Sequence, residues 1–200
     1  MTDWSARRLH FVGIGGAGMS GLALIAQALG ASVSGSDRTE SSYLVRVREA
    51  GIEPSIGHDA SNLPAGDGVE LVVSTAIGAD NPERAAGRER GLREIHRGEL
   101  LGELSRLRRT IAIAGTHGKT TTSSMATHAR AAIGWQPSYV IGGELRSSGL
   151  NAAWGAGDWL VVEADESDRS FLRLAPEIAV VTNIELDHHT TYGSHAELEH

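Results

Sequence analysis

The 200-residue chain contains no cysteine, which excludes both a disulfide scaffold and a thiolate metal site. Long apolar runs are also missing. The longest, around Leu22–Leu29, falls far short of the ~20 residues that a membrane span requires. The N-terminus shows neither the apolar core nor the small-residue cleavage site of a secretion signal. A soluble protein of a reducing cytoplasm is the expectation. Clustered positive charge is lacking too: the net charge is -7, which argues against a nucleic-acid surface, since neutralising phosphates takes grouped Lys and Arg. The one basic run, Arg106–Thr110 (RLRRT), reads as a solvated linker between elements. Aromatic residues make up only 4%, whereas there are 25 glycines. That balance suits α/β folds, in which backbones approach ligands and helices lie close on sheets.

What is present is an alternation of strand and helix. Arg8–Gly15 reads as a strand ending in glycines, and Met19–Gly30 carries apolar residues at helical spacing with Gly30 as its stop. Short strands follow at Ala31–Asp37 and Ile52–Ile56, separated by a helix over Ser42–Ile52. Val69–Ile77 reads as a buried strand, and Asn81–Gly91 as a helix with Asn at its N-cap and Pro in its first turn. A further helix over Gly98–Leu107 precedes a restart at Thr110–Gly115, a strand leading into a Thr/Ser-rich helix. Asp158–Asp165 and Glu177–Ile184 read as two more strands that end in polar residues. This order implies parallel βαβ units. It predicts two α/β domains: a Rossmann-like parallel-sheet domain over residues 1–107, then the first part of a P-loop ATPase α/β domain over 108–200 with three or four strands.

GIGGAG (Gly13–Gly18) matches G-x-G-x-x-G through Gly13, Gly15 and Gly18, and Asp37 follows 19 residues after the last glycine. Such a turn lets a pyrophosphate meet the free N–H groups at a helix N-terminus. NAD, another diphosphate-linked nucleotide and a purely structural turn all remain open on this motif.

GTHGKTT (Gly115–Thr121) is a phosphate loop two residues shorter than G-x-x-x-x-G-K-[ST], with Ile113 where the longer form has its first glycine. The loop amides of Gly115, Thr116, His117, Gly118 and Thr121 can wrap an anion, while Lys119 supplies a mobile cation and Thr120 a hydroxyl for Mg²⁺. The acidic stretch that begins at Glu163 has four carboxylates in six residues at a strand end, and this makes Glu163 a natural Mg²⁺ ligand. TNIELDHHTTYG (Thr182–Gly193) closes another strand with polar and ionisable residues. Either of its histidines suits a second metal or a phosphate contact, or simple exposure.

The ordered set HFVGIGGAGMSGLA, SGSD, VVSTAI, AGTHGKTTT, Gly142–Gly143, EADESDRSF and TNIELDHHTTYG resembles the Mur ligases of bacterial cell-wall synthesis over nearly the whole chain. The shortened G-T-x-G-K-T loop is the rule in that family. The resemblance implies that the first domain holds a UDP-sugar rather than NAD. Gly13, Gly15, Gly16, Ala17, Gly18 and Met19 would form the diphosphate turn, with Ser36, Asp37, Ser74, Thr75 and Ala76 near the uridine. It further implies ATP and Mg²⁺ as cofactors. Lys119 would contact the β/γ phosphates, and Thr120, Glu163 and His188 would be metal ligands. Asn151 and Asn183 would lie near the sugar nucleotide or phosphates.

The implied reaction joins L-alanine to the carboxylate of UDP-N-acetylmuramate through an acyl phosphate. The weighed alternatives are reattachment of recycled peptides to the same sugar nucleotide and an NAD-dependent oxidoreductase. Thr190 stands where the family pattern has an aspartate. A longer central domain and a third domain, with the adenine pocket and much of the amino-acid site, are expected beyond this stretch, so the chain by itself is expected to bind UDP-sugar without turning over.

Overall fold

The structure is a computed structural model that describes residues 3–165 and 169–185. The chain divides into two units, residues 1–100 and 101–200, and each is built on its own five-stranded sheet.

In the first unit, β1 (Arg8–Val12), β2 (Ser32–Asp37), β3 (Ser55–Ile56), β4 (Val69–Val73) and β5 (Arg93–His96) are parallel in the order β3-β2-β1-β4-β5. The helices between them are α1 (Ala17–Ala28), α2 (Ser42–Glu49) and α3 (Pro82–Glu89). Central β1 and β4 bury almost every side chain, with Val12, Leu63, Leu71 and Val73 forming one apolar cluster. The chain runs outward from β1 to β2 and β3, then returns to lay β4 on the other side of β1. That reversal leaves a crevice at the carboxyl ends of β1 and β4, the place where doubly wound sheets take ligands. The Rossmann-like expectation therefore holds. Asn81 caps α3 as read, accepting from Glu83 N–H at 2.9 Å and Arg84 N–H at 3.2 Å, with Pro82 in the first turn. β5 was not anticipated. Its sequence REIH buries only Ile95, so it carries neither alternation nor an apolar run.

The two units divide at Leu100–Leu101, inside α4 (Arg97–Ser105). In the second unit, β6 (Arg109–Ala114), β7 (Ser138–Val140), β8 (Ala152–Ala153), β9 (Trp159–Glu163) and β10 (Ile178–Val181) lie in the order β10-β6-β9-β7-β8. All pairs are parallel except β7–β8, which is antiparallel. Helix α5 (Lys119–Ala132) follows β6. Ile111, Ile113, Tyr139, Ile141, Leu145, Trp159 and Val161 form the core. Five described strands replace the expected three or four, because β7 and β8 are only three and two residues long.

The basic run is not a solvated linker. Arg109 opens β6, lies over the Trp159 ring at 4.1 Å and pairs with Glu177. Arg108 stacks on Trp154 at 5.0 Å. Arg106 donates to the carbonyls of Gly102 and Arg173, the latter at 3.3 Å. Among the described residues, no helix is long and apolar enough to cross a membrane.

Candidate functional site

In the first unit, the loops that leave β1 and β4 enclose a cleft of about 640 Å³. Gly13, Gly15, Gly16, Met19, Asp37, Ser74 and Ala76 line it, together with His58, Ile77 and Asp80. The turn is fixed by backbone geometry. Gly13 has φ +83°, and both its N–H and that of Ile14 donate to the Ser36 carbonyl, at 2.8 and 2.9 Å. Gly15 N–H donates to Asp37 Oδ2 at 2.8 Å. A Cβ on Gly15 would lie 2.9 Å from that same oxygen, from Leu44 Cγ and from Ser41 Oγ, so a side chain there would break the contact. Gly16 is the N-cap of α1 and brings no capping side chain. The positive end of a twelve-residue helix thus meets the cleft, which suits an anion.

The structure separates the remaining first-unit candidates. Ser36 is buried beneath the cleft, and its hydroxyl donates to Glu83. Ala17, Gly18 and Thr75 do not line the cleft. Sequence reading missed Glu83 itself, whose carboxylate is completely buried yet surrounded by donors. His10 Nε2 (2.9 Å), Ser36 Oγ (2.7 Å), Asn62 Nδ2 (3.0 Å), His58 Nδ1 (3.2 Å) and Asp59 N–H (3.3 Å) converge on it. Burial alone would raise its pKa. The hydrogen bonds from His10, Asn62 and Ser36, and the charge attraction of His10, outweigh that and hold it at about 2.

In the second unit the phosphate loop joins β6 to α5. Ile113, at the position of the longer loop's first glycine, is a buried strand residue, so the loop opens at Gly115. Gly115 has φ +129°, and a Cβ there would fall 2.1 Å from Thr182 Oγ1. Gly118, at φ +83°, turns the chain into α5. Lys119 folds back over the loop, its ammonium donating to the carbonyls of Gly115 (2.7 Å) and Thr116 (3.3 Å). It is the only lysine in a chain with seventeen arginines. Asn183 holds the loop from β10's side: its Oδ1 accepts the His117 N–H at 3.0 Å and its Nδ2 donates to the His117 carbonyl at 2.9 Å. His117 is itself exposed, and Thr121 lines a second cleft with Thr120, His128 and Arg146.

Thr120 Oγ1 and the Glu163 carboxylate stand 3.0–3.1 Å apart. Neighbouring ligands of an octahedral Mg²⁺ with bonds of about 2.1 Å are separated by about 3 Å, so this hard-oxygen pair fits the ion. Gly142 N–H donates to Glu163 Oε2 at 2.7 Å, and a Cβ on Gly142 would lie 2.9 Å from that oxygen. The sequence carried Gly142–Gly143 only as part of the family pattern. Asn151 is buried, and its carbonyl accepts the Ile141 N–H at 2.9 Å. His188 lies outside the described residues, as does Thr190.

A family model described as "Mur ligase family, catalytic domain" matches residues 8–109. The chain belongs to the Mur ligase family. Among curated Mur ligases, it is 53% identical over 187 residues to the UDP-N-acetylmuramate–L-alanine ligase of Polaromonas sp. (strain JS666 / ATCC BAA-500), covering 94% of this chain and 40% of that protein. The enzyme of the same name from Azoarcus sp. (strain BH72) is 54% identical with the same coverage. The chain thus spans about 40% of the length of these relatives. Among solved structures, the UDP-N-acetylmuramate–alanine ligase of Thermotoga maritima superposes with a TM-score of 0.89 at 33% identity, over 96% of this chain and 45% of that one. The UDP-N-acetylmuramate:L-alanyl-γ-D-glutamyl-meso-diaminopimelate ligase from Neisseria gives 0.88 at 29% identity, over 96% and 65%.

Proposed function

We propose that this chain is the nucleotide-binding part of a ligase that joins L-alanine to the carboxylate of UDP-N-acetylmuramate at the expense of ATP, in peptidoglycan precursor synthesis. The observation that carries the reading is the Lys119–Thr120–Glu163 constellation, in a chain whose other unit opens an anion-accepting cleft at the β1 glycine turn. The first unit binds the UDP-sugar, with its diphosphate at Gly13, Gly15 and Gly16 and a ribose hydroxyl at Asp37. The second unit binds ATP.

Activating a carboxylate with a γ-phosphate brings two anions together, so catalysis here is electrostatic. The ammonium of Lys119 and the loop amides neutralise the β/γ phosphates. Thr120 and Glu163 would hold Mg²⁺, which when bound screens the phosphate charge. The amine of L-alanine then displaces phosphate from the acyl phosphate through a tetrahedral intermediate.

The L-alanine branch is favoured over peptide recycling because the curated relatives at 51–54% identity bear the L-alanine ligase name, and among solved structures the L-alanine ligase stands at 33% identity against 29% for the peptide ligase. Calorimetric titration with UDP-N-acetylmuramate and with NADH tests the reading. Binding of the sugar nucleotide is expected; tight NADH binding in its place overturns it. The 200-residue chain alone is expected to show no ATP-dependent ligation.

A further inference from the structure

The stretch from Leu104 to Gly143 carries five cations, Arg106, Arg108, Arg109, Lys119 and Arg130, and no side-chain carboxylate, in a chain whose net charge is -7. Lys119 serves the phosphate loop at the start of α5. The arginines gather at the opposite, amino edge of the second sheet, where Arg109 opens β6 and Trp159 opens β9 in register with it. Most of their charge is answered. Glu177 pairs with Arg109, Asp158 stands 3.6 Å from Arg108, and Arg106 donates to two carbonyls. Arg130 is the exception. Its guanidinium lies over the rings of Trp159 (4.3 Å) and Trp135 (4.7 Å), and it has no hydrogen bond and no carboxylate among the described residues. Burial, and then the charge of Arg109, lower its pKa. A guanidinium stays protonated at neutral pH all the same, with five donors for an anion.

The segment that follows Arg130 is apolar and projects. Gly134, at φ +82°, closes α5: its N–H donates to the Ala131 carbonyl at 3.0 Å, and Trp135 N–H donates to that of Arg130 at 3.1 Å. All six residues from 131 to 136 are exposed, Ile133 by 64% and Trp135 by 44%. Six exposed residues in succession form a tip rather than a groove. An indole and an isoleucine beside an unanswered guanidinium have the composition of a bilayer-interface anchor. A soluble phosphate would satisfy Arg130 but leave Ile133 and Trp135 in water. An anionic lipid supplies the phosphate and the apolar layer together. Helix α5 has 14 residues, so at about 1.5 Å each its phosphate-loop end stands roughly 21 Å from the tip. Docking through the tip leaves Lys119 free for a nucleotide.

We infer that the turn between α5 and β7 is a peripheral membrane anchor: Ile133 and Trp135 enter the headgroup layer of a bilayer, while Arg130, backed by Arg109, meets the phosphates of anionic lipids. The anchor lies wholly within the second unit and owes nothing to the UDP-sugar reading. Two apolar side chains and one free guanidinium hold weakly, so attachment is reversible and sensitive to salt.

Sedimentation of the whole chain with vesicles tests this. Vesicles of phosphatidylglycerol and phosphatidylethanolamine should carry the protein down at low salt, with roughly tenfold less bound to pure phosphatidylcholine. Ile133→Asp should weaken binding roughly tenfold or more, and Arg130→Gln roughly fivefold. Ile133 is largely exposed, so circular dichroism should show Ile133→Asp folded like the wild type. If Arg130→Gln does not fold, Ile133→Asp and the lipid dependence still decide the matter. No vesicle binding, equal binding to neutral lipid, or binding untouched by Ile133→Asp overturns the inference. Glycerol phosphate binding without vesicle binding would assign Arg130 to a soluble anion, and capture of polyglutamate without vesicles would assign the tip to an acidic protein; either result overturns it too.

Discussion

Asn183 grips His117 by both of its backbone groups, accepting the N–H at 3.0 Å and donating to the carbonyl at 2.9 Å. The residue expected beside the sugar nucleotide or phosphates thus acts on the phosphate loop itself, setting the path of its peptide planes. Asn183→Ala removes both bonds, each worth about 1 kcal/mol. We expect roughly ten- to thirtyfold weaker binding of MgATP, measured by calorimetry, with UDP affinity unaltered. An equal loss for both nucleotides would show that the side chain supports folding rather than the loop.

Lys119 is the chain's one lysine, so an amine-directed acylating reagent has a single side-chain target besides the N-terminal amine. Peptide mass mapping should find Lys119 modified in the free protein and protected by MgATP. Lys119→Ala is expected to abolish acyl-phosphate formation in the full-length enzyme and to leave UDP-sugar binding nearly unchanged. Comparable loss of UDP-sugar affinity would refute the division of labour between the two units.

Gly142 brings its N–H to Glu163 only because it lacks a Cβ, which would lie 2.9 Å from Oε2. Gly142→Ala should displace the carboxylate and weaken Mg²⁺-dependent ATP binding about tenfold, equivalent to about 1.4 kcal/mol. Magnesium-free ADP binding is the control and should barely move.

Glu83 makes stability depend on acid in a defined direction. Its folded pKa of about 2 lies below the ordinary 4.5, so the unfolded chain binds the proton more readily. The stabilisation is complete above pH 4.5, and is lost as pH falls from there through about 2. A shift of this size corresponds to about 3 kcal/mol. Urea unfolding of the first unit should show this decline in the wild type, and a much flatter one in Glu83→Gln, which is less stable at neutral pH. An identical slope in both proteins would count against an ionised Glu83.

Much of this architecture was legible in the residue order, for local reasons. Both anion-binding turns lie between an apolar strand and a helix, and glycine or lysine must occupy fixed positions there. The short loop could be recognised because Gly115 and Gly118 bracket it, and the structure supplies the reason for its length in Ile113, which belongs to the core. What escaped reading depends on contacts between distant residues. Glu83 resembles an ordinary acidic residue in a helix's first turn, and only the 73-residue link to His10 buries it. Gly142 gains its role from a strand end 21 residues later. β5, β7 and β8 are too short, or too charged, for periodicity to register, and each exists by pairing with a longer neighbour.

The convergence of three chain segments on the buried carboxylate of a fourth, α3, also bears on how the first unit opens. Releasing any one of β1, β2, the segment after β3 or the start of α3 strands the Glu83 charge away from water, so partial release is penalised nearly as heavily as complete release. The cleft should therefore come apart as one cooperative block, and the amides of Phe11, Asp37 and Asp59 should exchange with solvent deuterium at a shared free energy.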